Sequence, residues 1–258
     1  MNDFFQPQKL NSETRPSANP TFRPLIIGRG KLAKHLLHYF NLKHIPTDHL
    51  PDARALTSAT RIEQNHPRAT CVWLAISDQA LAPVRKVIDT RLPVIHSSAT
   101  TPVSNALTMH PLMTFGPELY PLATYEKMSF TLIAEEARDF ERFTNVFFSV
   151  LPHPHQMIAQ EKRAFYHALC VMTSNFPQIL WQAISEYSDG FKPLLAQSSQ
   201  NFLDLGSAAL TGPLVRGDST TIEKNLAALS DTPFFDLYRS FVNFYSQQKA
   251  SVSDDHRT

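Results

Sequence analysis

Two closely spaced glycines near the start of the chain have the spacing of a phosphate-binding turn. Residues 28–33, GRGKLA, fit the pattern G-x-G-x-x-[G/A] directly after the apolar run PLII and at the start of an amphipathic helical pattern. In such a turn Gly28 allows the tight bend, Gly30 lets backbone amides approach a pyrophosphate, and Ala33 permits close helix–sheet packing. The chain has only 7 glycines, so a bare turn is the weaker interpretation.

Three cations occupy the same turn. Arg29, Lys31 and Lys34 surround Leu32 at the start of the helix, where positive side chains oppose the helix dipole. A bound anion would reverse the sign of that interaction, whereas cations that point into water would be tolerated without one. Both explanations remain open, and residues 28–33 form the predicted cofactor-binding turn.

Polar residues follow the next two predicted strands, in LAISD at 74–78 and HSSAT at 96–100. Doubly wound sheets bind ligands at the carboxyl ends of their strands, so Ser77, His96 and Ser97 could border the cofactor. Serine and aspartate also favour helix starts, and for Asp78 this capping role is the preferred interpretation.

The segment where such a sheet ends its second strand, here between residues 40 and 55, bears on the type of dinucleotide. Enzymes that use NAD often carry an acidic residue about 20 residues after the glycine motif, and Asp48 has that spacing. Pro46 obscures the strand end, however, and Thr47 or Arg54 would equally suit a 2′-phosphate. With Arg29 also available, the sequence favours NADP, with NAD as the alternative.

One histidine lies in an apolar segment, MHPLMTFG at residues 109–116. An apolar loop after such a sheet is expected to pack against another part of the protein. His110 is then either a hydrogen-bonded core residue or a pocket group. As a pocket group it would suit proton transfer, because histidine titrates near neutral pH.

The longest helical pattern, residues 161–190, carries further polar side chains. His167 and Ser174 are seven residues apart and share a face with Arg163, whereas Asn175 is expected well round the helix from Ser174. Polar side chains in so apolar a helix need partners wherever they are buried. The cofactor, a substrate or a neighbouring loop could supply them.

A loop before a later helix adds one more cation. In LTGPLVRGDSTTIEKNL, residues 210–226, Gly212 and Pro213 turn the chain and Asp218 or Ser219 caps the helix. Arg216 is the strongest candidate anion ligand of this loop.

The first half alternates short apolar runs with helical segments. Strands are predicted at 24–27, 71–76, 92–98 and 128–134, and helices at 30–40, 79–89 and 135–148. Short apolar strands separated by helices indicate an α/β fold with a doubly wound parallel sheet.

After LPHPHQ at 151–156 only helical patterns follow, with a kink expected at Pro177. We therefore predict a sheet domain at 23–152 and an all-helical domain at 153–247. A flexible leader at 1–22 and a flexible tail at 248–258 are expected to flank them, because their polar composition cannot offset the entropy of ordering.

Composition excludes several classes of protein. The net charge of only +1 gives no general attraction to nucleic acid. The chain has neither a signal-peptide pattern nor an apolar run near the roughly 20 residues of a membrane span, so a cytoplasmic protein without membrane attachment is expected. Cys71 and Cys170 have neither metal-ligand nor redox spacing, which predicts reduced core cysteines and no metal site.

Six stretches together resemble a known family. In order they are LIIGRGKLAKHL, VWLAISDQAL, VIHSSA, HPLMTF, EKRAFYHALCVMTSNF and ALTGPLVRGD, across roughly residues 24 to 245. They resemble Rossmann-like proteins with a C-terminal helical domain of unknown function. These are distant relatives of pyrroline-5-carboxylate reductase and of beta-hydroxyacid dehydrogenases.

The resemblance implies an NAD(P)-binding domain, a helical domain that forms a homodimer, and a cleft between them for a small-molecule substrate. The family's recurrent polar positions fall on His110, Lys162 and His167 as candidate catalytic residues, and on Ser174, Asn175 and Arg216 as candidate substrate ligands. Ser98 stands where the family commonly has a glycine, which puts close cofactor approach at that loop in doubt.

Three functional hypotheses follow. The first is an NADP-dependent oxidoreductase that transfers a hydride to or from a small carbonyl or imine compound. The second is a non-catalytic NAD(P)-binding sensor or assembly protein, so the sequence leaves open whether the protein is an enzyme. In a third, the sheet domain binds no nucleotide, and Gly30→Ala would leave every ligand interaction unchanged.

Overall fold

The computed structural model describes residues 22–57, 61–134 and 140–255. The chain divides into two compact units, Met1–Gln178 and Ile179–Thr258. The predicted domain boundary at residue 152 stays a prediction, and most of the predicted leader lies outside the described residues. Phe22, which we assigned to the leader, is buried against Phe40 and Phe147.

A seven-stranded sheet forms the centre of the first unit. Its strands are β1 Pro24–Ile27, β2 Asp48–Leu50, β3 Cys71–Leu74, β4 Val94–His96, β5 Leu107–Pro111, β6 Phe130–Ile133 and β7 His155–Met157. They lie in the order β2-β1-β3-β4-β5-β6-β7, and neighbours are parallel except for the antiparallel pair β5–β6. The predicted α/β class with a doubly wound, mostly parallel sheet is confirmed.

Helices cover both faces of this sheet. They are α1 Lys31–Leu42, α2 Ile62–Asn65, α3 Asp78–Val87, α4 Leu122–Tyr125, α5 Glu141–Val150 and the first part of α6 Arg163–Ser185. In α1 the buried Ala33, Leu36 and Phe40 recur every three or four residues, which gives the helix one apolar face. Strand residues alternate between two cores, so Ile26 and Trp73 pack with α1 whereas Val72 and Leu74 pack with α3.

Strand β5 differs from the sequence prediction, because the apolar segment from residue 109 was expected as a loop. Its first residues belong to β5, which pairs with β4 on one side and β6 on the other. Leu107 and Met109 are fully buried in one core, while Thr108 and His110 point to the opposite face. The apolar residues after His110 hide this alternation in the sequence.

Two element ends also differ from the prediction. Strand β7 lies at residues 155–157, where only helices were expected after residue 152. Its short, polar sequence does not suggest a strand, and its backbone is paired in parallel with β6. Helix α5 was expected at 135–148 and is observed at Glu141–Val150, with residues 135–139 outside the described part of the chain.

The second unit contains only helices among its described residues. After the end of α6 come α7 Phe191–Leu205, α8 Pro213–Arg216, α9 Ser219–Leu229 and α10 Phe234–Asp255, so the last helix continues into the predicted tail. None of the side chains described between residues 179 and 250 is buried. Large apolar side chains are exposed instead, among them Phe202 at 63%, Leu203 at 75% and Phe241 at 55%.

Within the described chain, no helix combines the length and apolarity that a membrane crossing requires.

Candidate functional site

The turn between β1 and α1 is shaped by Gly28. Its φ of 134° is one that side chains rarely adopt, and a Cβ there would lie 2.1 Å from the carbonyl oxygen of Ala75. Its N–H donates to the carbonyl of Leu50 at 2.9 Å, and its carbonyl accepts from Nε2 of His49 at 2.8 Å. Packing between β2 and the end of β3 therefore requires this glycine, whatever the turn binds.

Gly30 lies beside open space. It is the N-cap of α1, and a Cβ there would meet nothing within 4 Å. No side chain caps the helix, its first turn contains no acidic residue, and Arg29, Gly30 and Lys31 are exposed. Leu32 is half-buried and Ala33 is fully buried against the sheet. Uncapped amides beside two cations and an open approach fit a phosphate group.

Asp48, the residue with the spacing of a ribose ligand, does not lie at the end of β2. It is the first residue of the strand, which ends at Leu50. Its carboxylate is held by Arg23 at 2.5 Å and by His66 at 3.2 Å. Asp48 therefore does not occupy the strand end, and the suggested ribose contact stays a prediction.

Asp52 and Arg54 follow the end of β2 instead. The Arg54 guanidinium donates to the Asp52 carboxylate at 2.6 and 2.9 Å. Hydrogen bonds from Arg54, with a smaller contribution from nearby Arg29, hold the pKa of Asp52 well below its ordinary value. Two exposed cations and one carboxylate thus lie beside the glycine turn.

Helix α3 begins directly after the end of β3. Ser77 is its exposed N-cap residue and makes no capping bond. The Asp78 carboxylate does not cap the helix as suggested but accepts hydrogen bonds from the hydroxyls of Ser98, Thr100 and Thr101 at 2.8, 2.8 and 3.3 Å. Ser98, which departs from the family pattern, thereby ties the loop after β4 to the start of α3.

His96 ends β4 and is enclosed in the sheet. Its Nε2 contacts Oγ1 of Thr108 at 3.0 Å, whereas its buried Nδ1 has no hydrogen-bond partner among the described residues. Burial, followed by the nearby charge of Arg163, lowers the pKa of His96 to about 4, so its ring is neutral at pH 7. The next residue, Ser97, is half-buried and accepts a hydrogen bond from Nε1 of Trp73 at 3.0 Å.

A buried arginine connects α6 to this part of the sheet. Arg163 is 6% exposed, and its Nη2 donates to Oγ1 of Thr108 at 2.9 Å and to Oε1 of Gln160 at 3.0 Å. Its Nη1 donates to the carbonyl of Ser98 at 3.2 Å. The sequence placed Arg163 on the face of His167 but did not predict this clamp. A charged residue that directly follows Glu161 and Lys162 gives no signal of such burial.

A cleft of about 560 Å³ lies beside β5, β7 and the first part of α6. It brings together four predicted site residues, His110, His167, Ser174 and Asn175. Other lining residues come from the same elements and the segment after β5: Leu112, Met113, Thr114, Gln156, Tyr166, Leu169, Cys170, Val171 and Thr173.

His110 and Tyr166 form a hydrogen-bonded pair in the cleft wall. Nδ1 of His110 lies 2.6 Å from the Tyr166 hydroxyl. Burial, followed by nearby His167, lowers the pKa of His110 to about 4, and burial raises the pKa of Tyr166 far above its ordinary value. Both side chains are therefore uncharged at neutral pH.

One face of α6 supplies the opposite side of the cleft. Tyr166, Cys170 and Ser174 recur every four residues, a spacing that could have identified Tyr166 from the sequence. The Ser174 hydroxyl lies 2.8 Å from the Cys170 carbonyl and 3.0 Å from Oδ1 of Asn175. Ser174 and Asn175 both line this cleft.

Two predicted site residues are not in the cleft wall. Lys162 ends the short 3₁₀ turn Gln160–Lys162, and the described cleft lining does not include it. Arg216 is the exposed last residue of α8 and belongs to the second unit. Their proposed roles stay predictions.

The glycine turn and the cleft residue His110 share one edge of the sheet. β1, β3, β4 and β5 run parallel, and their register pairs Ile27 with Leu74, Leu74 with His96 and His96 with Thr108. The carboxyl ends of four strands therefore meet at one edge, where open parallel sheets bind ligands.

Known structures share this fold at low sequence identity. A Bacteroides fragilis protein named "putative NADP oxidoreductase" is 18% identical with a TM-score of 0.66, covering 89% of this chain and 100% of its own. A Thermotoga maritima protein is 18% identical with a TM-score of 0.67, covering 91% and 100%. The 1-pyrroline-5-carboxylate reductase of Streptococcus pyogenes is 14% identical with a TM-score of 0.51, covering 89% and 98%.

Sequence comparison adds one family. Residues 129–243 match the model described as Domain of unknown function (DUF2520). No curated protein sequence matches the chain. The chain thus carries a DUF2520 match in its C-terminal part, and its predicted resemblance to Rossmann-like proteins with the fold of pyrroline-5-carboxylate reductase is confirmed.

Proposed function

We propose that the protein is an NADP-dependent oxidoreductase that transfers a hydride to or from a small carbonyl or imine compound. The observation that carries this proposal is one sheet edge with both an uncapped helix N-terminus and a cleft containing the pair His110–Tyr166. The names of the Bacteroides and Streptococcus structures support it at the level of the fold.

The glycine turn would hold the pyrophosphate of the cofactor. The first amides of α1 supply donors, Arg29 and Lys31 supply positive charge, and the open space at Gly30 admits the phosphates. Arg54 follows β2 and pairs with Asp52, and Arg29 of the glycine turn lies near the same carboxylate. Two cations there would suit the extra phosphate of NADP, which is the basis of our preference over NAD. Ser77 and Ser97 would border the nicotinamide end.

The bound dinucleotide would supply or accept the hydride. The chain would orient the substrate and manage one proton. Since the phenol of Tyr166 stays protonated, it can donate to Nδ1 of His110 and leave the ring hydrogen on Nε2. Nε2 would then donate to an oxygen or nitrogen of the substrate. His167, Ser174 and Asn175 would contact the rest of the molecule.

We further propose that the protein is a homodimer of the cytoplasm. An apolar groove of about 580 Å³ in the second unit is lined by Leu180, Ile184, Tyr187, Phe191, Ala228, Leu229, Thr232, Phe234, Leu237, Tyr238 and Phe241. So much exposed apolar surface is typical of an interface, and a second copy of the chain would cover it. The free cysteines Cys71 and Cys170 fit a reducing compartment.

Cofactor binding is the direct test. We expect the purified protein to bind NADPH more tightly than NADH by titration of nicotinamide fluorescence. Arg29→Glu should weaken binding, because it places negative charge beside the phosphates. The matched control is Lys86→Glu in the last turn of α3, at the opposite edge of the sheet, which should leave binding unchanged. Absence of binding to both nucleotides would refute the oxidoreductase.

Binding without turnover would favour the non-catalytic sensor instead. In that case a screen of carbonyl and imine compounds would show no oxidation of bound NADPH, and substitutions at His110 would leave its affinity for the nucleotide unchanged.

A further inference from the structure

The described wall of the cleft contains no carboxylate, ammonium or guanidinium group. Among its lining residues in the described chain there is no Asp, Glu, Lys or Arg. Its polar groups are two imidazoles, the hydroxyls of Tyr166, Thr114, Thr173 and Ser174, the thiol of Cys170 and the amides of Gln156 and Asn175. A charged substrate group would lose water here without gaining an opposite charge.

The buried cation of this part of α6 is already engaged. The guanidinium of Arg163 donates to a side-chain hydroxyl, a side-chain amide and the carbonyl of Ser98, and it is not part of the cleft wall. It is therefore unable to serve as a carboxylate anchor for a molecule in the cleft.

Apolar side chains form much of the remaining wall. Leu112, Met113, Leu169 and Val171 supply a surface suited to hydrocarbon rather than to a zwitterion. Leu112, Thr114 and Asn175 are exposed, so water reaches the mouth of the cleft.

We propose that the substrate is an uncharged aldehyde or ketone with an apolar body, whose carbonyl oxygen accepts a hydrogen bond from Nε2–H of His110. The proposal rests on the oxidoreductase function above and narrows its substrate class. In the reduction, the carbonyl carbon gains a hydride from NADPH and the C=O π bond breaks. The oxygen gains a proton from water at the cleft mouth, and the products are an alcohol and NADP⁺.

The same wall disfavours an imine. Imine reduction at neutral pH proceeds most readily through a protonated, cationic nitrogen, which a nearby carboxylate would stabilise. The cleft offers two imidazoles and no carboxylate. His110 is neutral and can donate to a carbonyl oxygen without any change of charge.

Matched substrate pairs test this inference with the full-length protein and NADPH. We compare cyclohexanone with 4-oxocyclohexanecarboxylate, benzaldehyde with 4-carboxybenzaldehyde, and both neutral compounds with 1-pyrroline-5-carboxylate. The expected kcat/KM is at least about tenfold higher for each uncharged carbonyl, because the charged group is desolvated without a partner. Preference for a charged member, or no turnover of either neutral carbonyl by protein that binds NADPH, would overturn the inference. Failure to bind NADPH would instead refute the oxidoreductase itself.

A charge placed at the cleft mouth gives an independent readout. Leu112 is 39% exposed, so the Leu112→Arg variant should fold. A new ion pair with the carboxylate should lower the ratio of kcat/KM between the uncharged and the carboxylate-bearing compound by about tenfold. Leu119→Arg is the matched control, since Leu119 is 46% exposed and is not part of the cleft wall. An unchanged ratio in Leu112→Arg, or an equal change in the control, would count against the inference.

Discussion

His96 and His110 show how burial, as the largest of several causes, can decide the charge of a residue. Both are held as neutral rings, with pKa values lowered to about 4; His96 contacts Thr108 on the neighbouring parallel strand, and His110 contacts Tyr166 of α6. A neutral imidazole that accepts a hydrogen bond from a phenol at one nitrogen carries its own hydrogen on the other nitrogen. Such a ring orients and polarises a substrate rather than acting as a strong acid.

The same two residues make the stability of the protein depend on pH. In the unfolded chain their pKa values return to about 6.5, so the unfolded state binds more protons between about pH 6.5 and 4. The free energy of unfolding is therefore unaffected by these two rings above pH 6.5, and it decreases as the pH falls toward 4. We expect each ring to contribute at most about 3 kcal/mol to this loss.

Urea unfolding at pH 7 and pH 4.5, followed by circular dichroism, measures the change. His96→Asn should reduce the difference between the two pH values. His44→Asn is the control, because His44 is exposed and has a φ of 54° that asparagine tolerates. Equal free energies of unfolding at both pH values would contradict the assignment of neutral buried rings.

At the level of elements, the two glycines of the strand–turn–helix unit at residues 24–42 have different roles, one in packing and one in leaving space for a ligand. We expect Gly28→Ala to destabilise the protein by about 3 kcal/mol or more, because the new Cβ meets the Ala75 carbonyl at an unfavourable φ. Gly30→Ala should leave stability nearly unchanged, since its Cβ meets nothing within 4 Å.

Thermal unfolding and NADPH titration of both variants check this pair. Gly30→Ala should weaken NADPH binding at unchanged stability, because the methyl group occupies the approach to the helix amides. Unchanged affinity would favour the reading in which the turn binds no nucleotide.

The sequence predicted helices and strands well where the apolar periodicity is strong, and poorly where a strand forms through pairing with adjacent strands. The apolar runs at 24–27 and 71–74 and the face of α1 identify the parallel sheet directly. Strands β5 and β7 were missed, because His110 sits among apolar residues and HQM has no strand pattern of its own. The clamp by Arg163 and the pair His110–Tyr166 join residues 55 and 56 positions apart, a distance over which a single sequence gives no signal.

At the scale of the whole molecule, none of the side chains described between residues 179 and 250 is buried. This exposed helical unit is the feature that indicates a partner. We expect light scattering to give the mass of two chains, because the groove and the exposed aromatic rings would otherwise face water. Phe241→Glu should shift the protein toward the mass of one chain. Lys224→Glu, an exposed substitution on α9, should not. A single-chain mass for the unaltered protein at micromolar concentration would refute the dimer.

The contacts of α6 with the sheet also bear on the order in which the chain can fold. Tyr166 of α6 pairs with Nδ1 of His110, Arg163 adds a hydrogen bond to the Thr108 hydroxyl that already contacts His96, and β6 gains its outer neighbour only with residues 155–157. During synthesis on the ribosome, the first 150 residues therefore emerge with polar atoms and one strand edge still unsatisfied. The sheet becomes complete only after residues 155–157 have left the exit tunnel, and His110 gains its partner only with Tyr166.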